Sequence, residues 1–156
     1  MKIKEFLLIT MLFGFLLTSC STSSEISSRD QLEITNVSAN LTLPTELGAI
    51  YMVIMNDSAQ DEVLTGASVS GCTTIELHEM RMEKDVMVMR PIEGGQITIP
   101  AGETVELKQG GMHVMCIGKT GEYKVGDVVP ITLEFKNAGT IEVSAEVIPP
   151  GEKMEK

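Results

Sequence analysis

From Gln31 to Ile148 the apolar residues fall into short runs rich in Val, Ile, Leu and Thr. None repeats with the helical spacing of about 3.6 residues. Thr104-Val105-Glu106-Leu107-Lys108 and Thr140-Ile141-Glu142-Val143-Ser144 alternate polar with apolar, as a strand with one wet face does. Turn formers separate the runs at Asn56-Asp57, Gly94-Gly95, Pro100-Ala101-Gly102, Gly110-Gly111, Gly121 and Asn137-Ala138-Gly139. The pattern predicts strands near 31–42, 48–56, 62–69, 73–82, 86–90, 96–99, 103–108, 112–118, 128–136 and 140–148. Strands so closely spaced predict an all-β domain over 31–148, an antiparallel sandwich or barrel. Residues 149–156 read as a C-terminal tail.

The first thirty residues follow another pattern. Lys2 and Lys4 precede an apolar run from Phe6 to Leu17, too short to span a bilayer as a helix and suited to a secretory signal. The run closes at Leu17-Thr18-Ser19-Cys20, which resembles a bacterial lipobox. Residues 1–19 are therefore expected to be a lipoprotein signal peptide, Cys20 the lipidated residue, and the Ser-rich stretch to Asp30 a tether. The expected location is extracytoplasmic, anchored by lipid to the cell membrane, in the periplasm or at the cell surface.

Composition narrows the function. A net charge of −10 argues against nucleic acid as a partner, because phosphate binding needs a basic face. No Ser-centred elbow, phosphate loop or paired catalytic constellation stands out, so the chain does not read as an enzyme. Eleven Met against four Phe, two Tyr and no Trp is an unusual way to build a core. Six of those Met lie between positions 80 and 115, among the chain's two His. Residues two apart share a face of a strand. His78, Met80 and Met82 therefore share a face, as do Met87 and Met89, and His113 and Met115. In the first run Ile75 and Leu77 occupy the opposite, core-like face. Thioethers and imidazoles are soft, neutral donors that suit Cu(I) better than Zn²⁺, Ca²⁺ or Mg²⁺. The competing reading treats the Met residues as packing in an interaction or assembly module.

The stretch from Leu77 to Gly118 resembles the PCu(A)C-type periplasmic copper chaperones. Their pattern is a His, ten residues, a Met, a longer gap and His-X-Met, matched here by His78, Met89 and His113-Val114-Met115. Met89-Arg90-Pro91, Glu93-Gly94-Gly95, Ile99-Pro100-Ala101-Gly102 and Gly110-Gly111 match as well. The resemblance implies a cupredoxin-like antiparallel β-sandwich with an exposed Cu(I) site formed by His78, Met89, His113 and Met115. Met80, Met82 and Met87 are further candidate ligands on the same faces. It also implies delivery of copper towards the dinuclear centre of cytochrome oxidase, either to subunit II or through a thiol-disulfide copper chaperone. In this chain 23 residues separate Met89 from His113, a longer gap than the family's. Cys116 stands where the family has an aliphatic residue.

Cys72 and Cys116 support two readings. An oxidising compartment favours a disulfide. Strand parity opposes one, since Cys116 points away from the His113/Met115 face while Cys72 shares the His78 face of a regular strand. A blue-copper electron-transfer site would need Cys116 and Met115 to converge from opposite faces, which parity also opposes. Glu79 and Glu76 are candidates to fix the tautomer of a ligating His, Glu79 being the one beside His78.

Overall fold

The computed structural model describes residues 31–152. The expected signal peptide, Cys20, the expected tether and the last four residues lie outside the described residues. Each run of alternating residues is a strand, with ends within two residues of the expected ones: β1 Leu32–Asn40, β2 Leu47–Asn56, β3 Glu62–Val69, β4 Cys72–Glu83, β5 Val86–Pro91, β6 Ile97–Ile99, β7 Thr104–Leu107, β8 His113–Lys119, β9 Val128–Phe135 and β10 Gly139–Val147. A 3₁₀ turn at Glu93–Gly95 interrupts the strands, with Gly94 at φ 79°.

The hydrogen-bonded order is β5-β4-β8-β2-β1-β10-β9-β3-β6, with β7 also paired to β2. The sheet folds into a β-sandwich around one core. Strand β2 is shared along one edge: Leu47 to Ile50 pair with β8, and Met52 to Met55 pair with β7. The pairings are antiparallel except β1–β10, where Ser38 and Ala39 run parallel to Glu146 and Val147. A register shift between Thr35 and Ser38, with Asn36 at φ 52°, bends β1 just before that pairing begins.

Alternation places the core. On β2, Gly48, Ile50, Met52, Ile54 and Asn56 are buried, and the residues between them are not fully covered. They meet Leu64 of β3, Val114 of β8, Ile131 and Leu133 of β9, and Ala145 and Val147 of β10. Met52 is thus a packing residue. Met112 also packs against the core, so it separates from the run His113-Val114-Met115 that it precedes.

Two buried polar residues flank the β2–β3 loop and close that end of the sandwich. The Asn56 amide donates to the Gln60 and Ile99 carbonyls at 2.9 and 3.0 Å and accepts from the Ser58 N–H at 3.1 Å. The Glu62 carboxylate accepts from the backbone N–H groups of Val63, Asn137 and Ala138 at 2.8, 3.0 and 2.8 Å, and from the Asn137 amide at 3.2 Å. It thereby fixes β3 to the β9–β10 turn. Removing such an acceptor leaves several buried donors unpaired. Glu62→Ala is expected to lower the unfolding free energy by about 3 kcal/mol in a urea titration. Glu142→Ala, on an exposed position of β10, should stay within about 0.5 kcal/mol.

Candidate metal centre

The site lies on the face of β4, β5 and β8 opposite the core. His78 of β4 stands directly across from His113 of β8, and Glu76 across from Met115. On the other side of β4, Met80 faces Met89 and Met82 faces Met87. Antiparallel partners share a face, so this register carries His78, Met80, Met82, Met87, Met89, His113 and Met115 to one surface. The ring centroids of His78 and His113 are 5.9 Å apart. A cavity of about 410 Å³ opens beside them, lined by Met80, Met89, His113 and Met115 and walled by Tyr51 and Leu43.

Burial is graded along this face. His78, His113 and Met115 are 9%, 5% and 6% exposed, whereas Met89, Met87 and Met82 reach 45%, 46% and 62%. The exposed site that the resemblance implied is therefore exposed at one end only. Its imidazole end is covered, and its thioether end reaches solvent at the β4–β5 hairpin.

Each imidazole has one nitrogen held and one left open. His113 Nδ1 lies 3.1 Å from the Gly111 carbonyl oxygen. A carbonyl only accepts, so Nδ1 carries the proton and Nε2 keeps the lone pair. The same oxygen also accepts the Met80 backbone N–H at 3.2 Å, which ties the β7–β8 turn to β4. His78 Nε2 lies 2.8 Å from Glu76 Oε2. The carboxylate accepts a hydrogen bond from Nε2–H, and Nδ1 is buried with no hydrogen-bond partner. An orphaned buried lone pair costs free energy that a metal ion would recover. Burial pushes the His113 pKa down, and the neighbouring His78 adds to that effect while the Gly111 hydrogen bond opposes it. The ring is thus neutral and able to donate. Tyr51, with its ring 6.3 Å from His113, is held protonated by burial, which pushes its pKa up.

The carboxylate that orients His78 is Glu76 rather than Glu79. Glu79 sits on the opposite face of β4, across from Arg90, and pairs with Arg81 at 3.5 Å. Sequence adjacency had favoured the wrong neighbour, because in a strand the next residue always points away.

Cys72 and Cys116 form a disulfide with Cα atoms 5.5 Å apart. The parity argument fails locally. Thr73 and Thr74 are both exposed, so alternation slips between them, and Gly118 on β8 takes φ 67° beside Thr73. Cys72 is thereby freed to meet Cys116 on the core side. The bridge leaves Cys116 no thiolate for a blue-copper site. Among the described residues no group of three or more His, Cys, Asp or Glu gathers for a harder metal.

A family model described as "Putative lipoprotein LpqE-like" matches residues 32–147. The curated protein "Putative lipoprotein Lxx21020" of Leifsonia xyli subsp. xyli is 29% identical over 99 residues, 64% of this chain and 59% of that one. The match thus spans less than two thirds of that relative's length. Among solved structures, the copper-bound PCuAC domain from PmoF2 superposes with a TM-score of 0.64 at 21% identity, over 77% of this chain and 94% of that one. That likeness is one of fold. The solution structure of CuI-DR1885 from Deinococcus radiodurans gives 0.56 at 30% identity, over 86% and 85%.

In long-range ¹H–¹⁵N spectra of the metal-free protein, His78 is expected as the Nε2–H tautomer and His113 as the Nδ1–H tautomer. Glu76→Ala should erase the preference of His78 alone. Separately, Cys72→Ser with Cys116→Ser is expected to cost about 2–4 kcal/mol of stability by chemical denaturation.

Proposed function

The chain belongs to the LpqE-like family and has the fold of PCuAC domains, and from that premise we propose that it is an extracytoplasmic Cu(I) metallochaperone. The observation that carries the reading is the convergence of His78, His113, Met115 and Met89 on one face, with an open lone pair on each imidazole. Solved structures of similar domains are described as copper-bound. We assign His78 Nδ1, His113 Nε2 and the sulfurs of Met89 and Met115 as donors to Cu(I), with Met80, which lines the same cavity, as a further thioether.

The chemistry favours cargo over catalysis. Thioethers carry no proton at any ordinary pH, and burial disfavours a proton on His113, so Cu(I) meets little proton competition there. Neither donor oxidises as readily as a thiol, which suits an oxidising compartment. Cu(I) leaves by ligand exchange, donor by donor, with no change of oxidation state. The acceptor in this reading is the dinuclear copper centre of cytochrome oxidase, reached directly or through a thiol-disulfide partner. Lipidation at Cys20 would tether the domain, residues 31–148, to the membrane that houses such an acceptor. The Cys72–Cys116 bridge supports placement outside the cytoplasm.

Competition for Cu(I) against a chromophoric chelator tests the reading. One tight site is expected, weakened by about 10-fold to 100-fold or more in His113→Ala or Met115→Ala. Met55→Leu, on β2 and outside the site, should bind as the parent does. A protein that fails to compete for one equivalent of Cu(I) is not a copper chaperone of this kind.

A further inference from the structure

We propose that Met82 and Met87 form a second, weaker soft-metal site at the tip of the β4–β5 hairpin, the point at which Cu(I) enters and leaves. The inference rests on the copper reading above and adds to it a path.

Lys84 and Asp85 turn the hairpin, both with positive φ, at 47° and 65°. Such two-residue turns match the twist of the flanking strands and fix their register. Met82 is therefore locked opposite Met87, and Met80 opposite Met89. The face then presents successive rungs about 7 Å apart: the His78/His113 pair, the Met80/Met89 pair and the Met82/Met87 pair. Cross-strand Cβ atoms lie about 5 Å apart, and Met has three rotatable bonds, so two opposed sulfurs can reach one ion.

Position on the face explains why the outer pair is not simply packing. Met82 and Met87 lie outside the cavity that Met80 and Met89 line, and they are 62% and 46% exposed. Side chains this exposed gain only part of the burial energy of a core Met. The opposite face of the hairpin carries Arg81, Glu83 and Arg90, with an ion pair between Glu83 and Arg90. Solubility is thus supplied on one side while sulfur is displayed on the other. Two neutral sulfurs make a weaker set than two imidazoles with thioethers, and a weaker outer rung is what an exchange path needs. Cu(I) moves inward by trading one donor at a time, with no proton transferred and no electron moved.

The test uses the chain with ¹³C-methyl-labelled Met and Ag(I) as a redox-inert probe. The first equivalent is expected to shift the Met89 and Met115 methyls, and the second those of Met82 and Met87. Met82→Leu with Met87→Leu keeps the apolar volume and removes the sulfur. It should preserve first-site affinity, lose the second-equivalent response, and slow Cu(I) transfer to a chelator severalfold. Unshifted Met82 and Met87 methyls, or parent-like transfer by the Leu variant, overturn the proposal. In the latter case, delivery that survives Leu but fails with Asp at these positions identifies an apolar docking face instead. Shifts at Met82 and Met87 without any at Met89 and Met115 uphold the outer site and sink the chaperone site.

Discussion

A strand shows successive side chains to opposite sides, so pairing β4 with β8 sets the core and the site together. With His78 opposite His113, Leu77 and Val114 are turned inward and buried. Sliding β4 by a single residue would expose Leu77 and turn charged Glu76 into the core. Each buried aliphatic side chain contributes about 1.5–3 kcal/mol to holding the register. The donors are therefore positioned by packing on the far side of their own strands. They need no metal to bring them together, and little reorganisation accompanies binding.

The two ends of the donor set do different work. The imidazole end is covered, and each ring is fixed by a protein acceptor, Gly111 O for one and Glu76 for the other. The thioether end is open, and its side chains are long and unbranched. Strong, oriented donors in a covered place favour retention, and flexible neutral donors in an open place favour exchange. A carrier must do both, and the graded burial of one strand face separates the tasks over a few residues.

Much of this was legible in the sequence because it depends on local period. The strands follow from alternation and turn formers. The common face of His78, Met80 and Met82 follows from spacing by two, and the ligand pattern follows from the family resemblance. What escaped depends on which strand lies beside which. The parallel β1–β10 pairing joins distant segments. Asn56 and Glu62 look like turn and surface residues until their distant partners are in place. Glu76, by contrast, was legible from the spacing by two that puts it on the face of His78, a spacing that Glu79 lacks. The disulfide escaped because one irregular step at Thr73–Thr74, opposite a left-handed Gly118, reverses the parity on which a regular strand relies.

That disulfide has a further consequence. Its 44-residue separation encloses His78, Met80, Met82, Met87, Met89, His113 and Met115, every donor the site could use. An oxidised chain that loses its tertiary structure still holds all of them inside one covalent ring, at a high local concentration. Copper then retains affinity for the unfolded chain as well as the native one, and only the difference between the two affinities stabilises the fold. The thermal shift produced by copper becomes a poor gauge of how tightly the native site holds it. A chain whose bridge has closed could gather copper before the sandwich has finished folding.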